Sequence, residues 1–182
     1  MMIEPTPLEG AYRIRLNHLK DERGWFARTF CADTFAAHGL TTQFVQCNHS
    51  YNARKGTLRG MHFQKAPDGE VKLVRCTRGR CFDVIVDLRP NSKTHRQWYG
   101  AERSANNGVC LYIPEGFAHG FQTLEDDTEL FYQMGTPYIP ESASGVPFDD
   151  PAFAIDWPDV KGAILSQRDR SFERYLPKKV KV

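Results

Sequence analysis

The segment RCFDVIVDL, residues 80–88, constrains the fold of this chain more strongly than any other. Every second residue in it is large and apolar, so Phe82, Val84, Val86 and Leu88 would share one face of an extended chain. This alternation with a period of two residues predicts a β-strand and disagrees with the period of a helix. We therefore expect the segment to lie in a sheet that has at least one buried face.

Other runs along the chain show the same strand character, separated by turn sequences rich in Gly, Pro and Asn. They are residues 12–16, 25–30, 43–48, 71–76, 109–113 and 128–134. Helical character is confined to residues 32–38, which Gly39 would end, and to a short piece after Ser166. Many short strands with so few helices predict an all-β protein: an antiparallel sandwich, a jelly roll or a barrel. A barrel of this kind can hold one small ligand at its mouth.

The organisation of the chain is simple. Its 182 residues suffice for one domain with a sizeable core, and they contain no linker and no internal repeat. We therefore expect a single domain over residues 1–182. The part after about Pro137 is richer in Pro, Asp and Ser, so residues 137–182 are predicted to form a C-terminal extension that wraps the barrel, with Trp157 packing onto it.

The balance of charges disfavours two classes of partner. Twenty-four Lys and Arg residues against 22 Asp and Glu give a net charge of +2, so neither nucleic acid nor an anionic membrane is expected as a partner. A small anionic ligand stays compatible with this composition, because it needs only a local cluster of Arg and Lys.

Apolar runs and cysteines bear on the location of the protein. The sequence has no apolar run of the roughly 20 residues that span a bilayer, and its N-terminus has no signal-peptide features. The five cysteines are scattered and include no C-x-x-C pair, which argues against a zinc site or a disulfide framework. Free cysteines favour a reducing compartment, so we expect the protein in the cytoplasm.

The stretch QCNHSYNARKGTLRGMHFQ, residues 46–64, concentrates the polar groups that could do chemistry. His62 is its natural centre, since imidazole exchanges protons near neutral pH; the alternative is a histidine that is merely hydrogen-bonded in a sheet. A metal site is disfavoured, because the His-x-His pair of metal-binding barrels would need a second histidine where Gln64 stands. His119 alone cannot complete a set of three or four ligands.

Four further residues have both a functional and a structural interpretation. His119, in IPEGFAHGF (113–121), lies between small residues that allow a close approach, but the pattern alone favours a surface histidine in a tight hairpin. Tyr132 could belong to the core or point as an acid into a cavity. Lys72 could neutralise a charge inside or face solvent. Asp169, three residues after Ser166, resembles the end of a capping box.

Taken in order, these segments resemble the dTDP-4-dehydrorhamnose 3,5-epimerase family along nearly the whole chain. The matching stretches are DERGWF (21–26), FVQCNHS (44–50), GTLRGMHFQ (56–64), KLVRCTRG (72–79), FDVIVDLR (82–89), IPEGFAHGF (113–121), FYQ (131–133), DDPAFAIDWP (149–158) and LSQRD (165–169). The resemblance implies a cupin-like antiparallel β jelly-roll barrel that pairs into a homodimer. It also implies a nucleotide-sugar substrate, no cofactor and no metal.

The resemblance also implies roles for individual residues in the epimerisation of a 4-keto-6-deoxy sugar at C3 and C5. His62 is similar to the catalytic base and Asp169 to its partner carboxylate. Tyr132 resembles the acid that protonates the opposite face, and Lys72 the group that faces the sugar's C4 oxygen. The implied substrate-binding residues are Arg23 and Arg59 at the diphosphate, Tyr138 over the base, and Phe26, Gln46, Asn48 and His119 in the pocket.

The sequence departs from the family pattern at three places, and the first two lie in the segment that would help to bind the nucleotide or sugar. Leu19 replaces a usual aromatic residue, Arg28 replaces a usual Glu, and Phe148-Asp149 replaces a usual aromatic-Asn pair. An epimerase that acts at C3 only, or on another nucleotide-linked 4-keto sugar, is therefore an alternative. Two hypotheses from other classes are a non-catalytic sugar-nucleotide-binding protein, against which the retained acid–base residues argue, and a metal-dependent enzyme of the same fold.

Overall fold

The computed structural model describes residues 1–175, which form short β-strands and two short helices. The strands, in chain order, are β1 (Met2–Pro5), β2 (Tyr12–Arg15), β3 (Leu19–Asp21), β4 (Gly24–Phe26), β5 (Gln46–Asn52), β6 (Leu58–Gln64), β7 (Lys72–Arg78), β8 (Arg80–Asp87), β9 (Trp98–Ser104), β10 (Cys110–Ile113), β11 (Phe117–Thr123), β12 (Thr128–Met134) and β13 (Ala143–Gly145). The helices are α1 (Ala32–Ala37) and α2 (Gln167–Arg170). Among residues 1–175, no helix is long and apolar enough to cross a membrane.

The strands pair antiparallel in two large sheets. The first sheet has the order β1-β2-β10-β7-β12-β5 and the second has the order β13-β6-β11-β8-β9, while β3 and β4 form a separate hairpin. The prediction of an all-β antiparallel jelly roll with short peripheral helices is confirmed, and it takes the form of two packed sheets.

The core lies between the two sheets. Val74, Leu111 and Leu130 from the first sheet pack against Ile85 and Phe121 from the second, and all of them are buried. Burying apolar area of this kind contributes about 25 cal/mol per Å², so this shared layer fixes how the sheets face each other. At the open end of this layer, side chains from the two sheets can therefore meet around one shared space.

The outer faces of both sheets are covered as well. Val84 and Val86, on the alternating strand β8, pack outward against Phe153 and Trp157 of the C-terminal segment, as expected for Trp157. On the other sheet, Phe35 of α1 is buried. The division into one domain with an extension over residues 137–182 stays a prediction, and its last residues, 176–182, lie outside the described part of the chain.

The predicted elements recur with shifted boundaries. All seven strand-like runs overlap observed strands, but β4 ends at Phe26 and the strand predicted at 43–48 begins only at Gln46. The prediction was wrong for residues 27–30, because the Phe30 ring leaves the strand direction to pack against Phe35. Both helices are confirmed; Gly39 follows α1 with a φ of +67°, and Ser166 caps α2 by accepting from the backbone N–H of Asp169.

A close contact between β6 and β11 sets the geometry beneath the cavity described next. Gly60 has a φ of +135°, and a Cβ atom there would lie 2.6 Å from the Cα of Gly120. A Cβ on Gly120 would in turn lie 2.8 Å from the carbonyl oxygen of Arg59. Only glycine fits this crossing without strain, and the pairing between β11 and β6 shifts register there. His62 and His119 are direct neighbours across the two strands.

Candidate active site

A cavity of about 270 Å³ opens where the two sheets meet. Seven of the residues singled out from the sequence line it: Asn48, Arg59, His62, Lys72, His119, Tyr132 and Tyr138. They come from β5, β6, β7, β11, β12 and the loop after β12. The fold therefore collects at one place side chains that are widely separated along the chain.

His62 forms an ion-pair-like contact with Asp169 on the wall made by β6. The Nε2 atom of His62 lies 2.8 Å from Oδ1 of Asp169. The histidine side chain keeps 40% of its surface exposed to the cavity region, while the aspartate is buried. A buried carboxylate that holds one ring nitrogen fixes the orientation and the tautomer of the imidazole. A histidine held in this way is able to serve as a general base.

Asp169 is held in place by its own neighbours. Its Oδ2 accepts a hydrogen bond of 3.2 Å from the backbone N–H of Gly60, and its own N–H donates to the Ser166 hydroxyl at the start of α2. Burial alone would raise the pKa of this carboxyl, but hydrogen bonds from His62, Gly60 and Ser166 outweigh it and leave the pKa below its ordinary value. Asp169 therefore takes part in the cap of α2 through its backbone N–H, and its carboxylate also holds the ring of His62.

Tyr132 faces the same cavity from the other sheet. Its hydroxyl lies 3.3 Å from the hydroxyl of Ser50 on the neighbouring strand β5, and its ring packs edge-on against His119 with centroids 6.1 Å apart. Burial raises the pKa of the Tyr132 phenol well above its ordinary value, although the Ser50 hydroxyl opposes this. The phenol therefore stays protonated and can act as a proton donor.

His119 belongs to a second histidine–aspartate pair. Its Nε2 atom lies 2.6 Å from Oδ1 of Asp83, and both side chains are almost fully buried. The second carboxylate oxygen of Asp83 has Arg103 Nε at 3.8 Å, which is too long for a hydrogen bond. The interpretation of His119 as a surface histidine was wrong, because its ring projects between the two sheets and packs against Asp83 and Tyr132.

Lys72 lies inside the cavity beside a carboxylate. Its Nζ atom is 2.8 Å from Oε1 of Glu70, both side chains are largely buried, and Nζ also donates weakly to the carbonyl oxygen of His62 at 3.4 Å. The ammonium group is therefore paired and aimed across the cavity toward the strand that carries the histidine. Of the two alternatives left open by the sequence, the inward-facing lysine is the one observed.

Arg59 and two polar residues of β5 form the edge of the cavity. Arg59 donates from Nε to Oδ1 of Asn52 at 2.7 Å, which leaves other guanidinium N–H groups for a ligand. Gln46 donates to Oδ1 of Asn48 at 3.1 Å and accepts from the backbone N–H of Tyr138 at 3.1 Å. Asn48 is in the lining itself, whereas Gln46 supports two residues that are.

Arg23 and Phe26 lie outside this cavity. Both belong to the exposed β3–β4 hairpin, where Arg23 pairs with Asp21 at 2.6 Å and Phe26 is 70% exposed. Neither is among the residues that line the cavity of this chain. Their part in substrate binding stays a prediction.

Among the residues of the site that were not singled out from the sequence, three are charged. Glu70 and Arg168 line the cavity, and Asp83 supports His119. The alternation of strands contained a signal for two of them. Glu70 lies two residues before Lys72, and Asp83 lies on the inward face of β8, so each shares a face with buried neighbours. The sequence pattern held no comparable signal for Arg168.

The side chains of the described residues do not form a metal-binding set. Within residues 1–175, no three His, Cys, Asp or Glu side chains come together in a way that could hold a metal ion. The residue at the position of the missing second histidine, Gln64, is buried and bonded to backbone groups. That the protein works without a metal or cofactor stays a prediction.

Comparison with known proteins gives one family. Residues 5–175 match the family model described as dTDP-4-dehydrorhamnose 3,5-epimerase. A relative of that description from Methanothermobacter thermautotrophicus is 47% identical over 171 residues, covering 92% of this chain and 91% of the relative. The crystal structure of such an enzyme from Elizabethkingia anophelis superposes with a TM-score of 0.93 at 40% identity and covers 96% of both chains.

A second solved structure bears on the ligand. The Bacillus anthracis dTDP-4-dehydrorhamnose 3,5-epimerase, with TDP and PPi bound, superposes with a TM-score of 0.92 at 39% identity, covering 96% of this chain and 99% of that one. The matches extend over the two sheets and over the strands that carry the cavity. The fold and the site thus define a sugar-nucleotide isomerase of the cupin-like type. The chain belongs to the dTDP-4-dehydrorhamnose 3,5-epimerase family.

Proposed function

We propose that this protein converts dTDP-4-dehydro-6-deoxy-D-glucose to dTDP-4-dehydro-L-rhamnose by epimerisation at C3 and C5, without a metal or redox cofactor. The observation that carries the proposal is the placement of an open histidine–aspartate pair and a protonated tyrosine on facing walls of one cavity. Inversion of a carbon by proton transfer needs a base on one face and an acid on the other. The two sheets supply these two faces.

In the proposed reaction, the C4 ketone acidifies the protons on C3 and C5. His62, whose Nε2 is held by Asp169, takes the proton from one of these carbons. The electron pair of the broken C–H bond moves toward O4 and leaves an enolate. Tyr132 then gives its proton to the other face of the carbon, which inverts it. His62 then releases its proton to solvent and the Tyr132 phenolate takes one up. With both groups restored, the same steps at the second carbon complete the conversion.

Lys72 has the electrostatic part in this proposal. The negative charge that develops on O4 would be stabilised by an ammonium group placed there beforehand, and such stabilisation often lowers the reaction barrier more than any other effect. Glu70 holds the ammonium group in place at 2.8 Å. The buried pair keeps its orientation without reorganisation while the charge develops.

The nucleotide end of the substrate would lie at the edge of the cavity. Arg59 has guanidinium N–H groups available for a diphosphate, whose oxygens match a planar fork, and Tyr138 offers an exposed ring for a base. TDP and PPi in the Bacillus anthracis structure support a nucleotide ligand of this kind. A nucleotide-sugar substrate fits these groups better than a free sugar does.

We include a homodimer in the proposal, because it accounts for Arg23 and Phe26. The β3–β4 hairpin carries three exposed apolar side chains, Leu19, Trp25 and Phe26, at a distance from its own cavity. A second copy of the chain would cover these residues and receive Arg23 at its diphosphate site. A cytoplasmic location is likewise proposed, and the five free cysteines support it.

The decisive test is incubation with dTDP-4-keto-6-deoxyglucose in deuterated water, followed by NMR and mass analysis of the sugar. Deuterium at both C3 and C5, together with the L-rhamno product, is the expected result. Deuterium at C3 alone would establish the C3-specific alternative. No incorporation by folded protein would contradict the proposed substrate and direct the test to other nucleotide sugars, with Leu19 and Arg28 as the residues to exchange.

The metal-dependent alternative has its own test. Elemental analysis of the active protein is expected to find no stoichiometric Fe, Mn or Zn, and activity should survive prolonged treatment with a chelator. Stoichiometric metal that is required for exchange would contradict the cofactor-free mechanism.

A further inference from the structure

The loop after β12 is held by side-chain amides instead of by a strand ladder. This loop, residues 137–139, carries Tyr138, which is 51% exposed and lines the cavity. Gln64 grips it at two points: Oε1 accepts from the N–H of Ile139 at 2.6 Å, and Nε2 donates to the carbonyl oxygen of Pro137 at 3.2 Å. The residues on both sides of Tyr138 are thereby fixed by one buried side chain.

The same amide group also ties down a second loop. Nε2 of Gln64 donates to the carbonyl oxygen of Asp68 at 3.0 Å, in the segment that leads to Glu70 and Lys72. Gln64 is only 4% exposed, and both of its amide protons and its oxygen have partners. A buried amide that is fully satisfied is rigid, and losing it would leave several backbone groups without partners.

We infer that Gln64 is a positioning residue that presents Tyr138 to the base of the nucleotide. The inference rests on the proposed function, in which Tyr138 covers that base. An exposed aromatic residue on a loose loop would lose conformational freedom on binding, and this loss weakens affinity. The Gln64 clamp, together with the fixed φ of Pro137, removes much of that cost before the ligand arrives. Gln64 itself lines the cavity, and through its grip on the loop of Tyr138 it acts mainly on nucleotide affinity.

The chain provides a matched control in Gln122. This glutamine is 1% exposed, donates from Nε2 to the carbonyl oxygen of Asp159 at 2.6 Å, and accepts from the Asp159 N–H at 3.0 Å. It makes the same kind of clamp on another segment, and it is not part of the cavity lining. Gln64→Met and Gln122→Met therefore remove comparable buried amides of which only one holds Tyr138.

The first measurement is the affinity of the full-length protein for TDP by calorimetry, with epimerase kinetics alongside. Gln64→Met is expected to raise the Kd for TDP and the KM about tenfold, the effect of one or two lost hydrogen bonds, and to change kcat less than it changes the Kd. Gln122→Met is expected to lower the melting temperature and leave both constants unchanged. Unchanged TDP affinity in Gln64→Met, or an equal loss in Gln122→Met, would overturn the inference.

A double-mutant cycle separates positioning from general damage. Tyr138→Ala should weaken TDP binding at least as much as Gln64→Met, and the double variant should be no weaker than Tyr138→Ala alone. Additive losses would show that Gln64 acts independently of Tyr138 and would refute the inference. If Gln64→Met fails to fold, Gln64→Asn keeps an uncharged amide that is one methylene shorter and is expected to weaken TDP binding in the same direction. The TDP readout does not depend on turnover, so failure of the proposed reaction would be seen separately, in the wild-type exchange assay.

Discussion

Two histidine–aspartate pairs lie side by side in the second sheet, and they differ in almost everything except composition. His62 and His119 are direct partners across β6 and β11. The His62–Asp169 pair is open, with an exposed ring and an aspartate supplied by a helix that begins 105 residues later in the sequence than His62. The His119–Asp83 pair is closed, with both members supplied by neighbouring central strands.

The difference shows that burial and surroundings, more than the pair itself, decide what a histidine and an aspartate do. The open pair can exchange a proton with a ligand, because its ring reaches the cavity. His119 of the closed pair also borders the cavity, but it is only 4% exposed, and the pair is packed between Tyr132 and Arg103. Replacing one member of a buried charged pair lowers the stability of the fold. Replacing a member of an exposed pair lowers activity and changes stability less. The two pairs should therefore respond differently to the same substitutions.

The largest effect is expected for His62→Ala. Removing the base of the open pair should reduce solvent exchange at both C3 and C5 by about 10⁴-fold, the upper range for general-base catalysis, while the fold persists. Deuterium incorporation measures the loss, and circular dichroism checks the fold. His38→Ala, at an exposed position directly after α1, serves as the control with normal exchange. Retained exchange in His62→Ala would rule out His62 as the base.

The next prediction compares the same substitution, Asp to Asn, in the two pairs. Asp83→Asn should destabilise the protein by about 3–5 kcal/mol, because it leaves the buried Arg103 without a counter-charge. Asp169→Asn should cost less stability but slow exchange strongly, since the imidazolium loses its partner. Urea unfolding and deuterium incorporation are measured on both variants. Equal losses of stability would contradict the distinction between a closed and an open pair.

Tyr132→Phe probes the wall opposite the open pair. We expect the yield of epimerised product to fall about 10²-fold, more than the rate of proton abstraction, because the acid is lost while the base remains. The two rates are separated by comparing product formation with deuterium exchange into substrate. The control is Tyr112→Phe. Tyr112 is buried in the cluster that contains Phe35 of α1, and its hydroxyl accepts a hydrogen bond from the Thr41 N–H. Parallel losses of the two rates would count against Tyr132 as the acid.

The smallest effect is expected for a third buried carboxylate, Asp87, which does not line the cavity. Burial alone would raise the pKa of Asp87, but hydrogen bonds from Arg89, Ser92 and Thr94 hold it at about 2. Because this pKa is lowered on folding, its contribution is complete above about pH 4 and is lost as the pH falls toward 2. Asp87→Asn should therefore cost about 2 kcal/mol at pH 7 and flatten the acid side of the stability profile.

The measurement for Asp87 is urea unfolding between pH 2 and pH 7. Asp156→Asn, at an exposed position, is the control and should follow the wild-type profile. A difference between Asp87→Asn and wild type that does not shrink below pH 4 would contradict the assigned pKa. Exchange activity should change little at neutral pH, in contrast to the Asp169 variant.

Much of the fold follows from local patterns in the sequence. The alternation in residues 80–88 predicted a strand, and β8 spans Arg80–Asp87 with one face toward the other sheet and one toward Trp157. Ser166 predicted a helix start, and α2 begins there. These predictions succeed because side-chain periodicity and capping are set by neighbours in the chain. The ends of strands were less accurate, as at residues 27–30, where packing of Phe30 decides.

The site was only partly predictable. The family resemblance named His62, Tyr132, Lys72 and Asp169, and the structure brings all four to one cavity region. The residues alone left each of them with a structural alternative. The alternation of a strand shows which of its residues face inward. It does not show which cavity those residues face. Glu70 and Asp83 were missed for that reason.

The order and spacing of residues along the chain were enough to predict an antiparallel β protein, its family resemblance and the types of group available for proton transfer. The folded structure was needed to show that Asp169 meets His62 across 107 residues of chain, that His119 is buried, and that Arg23 and Phe26 lie outside the cavity of their own chain. It also decided that Gln64 clamps the loop of Tyr138. Local patterns specify which side of a strand is apolar, whereas contacts between distant strands depend on how whole sheets pack.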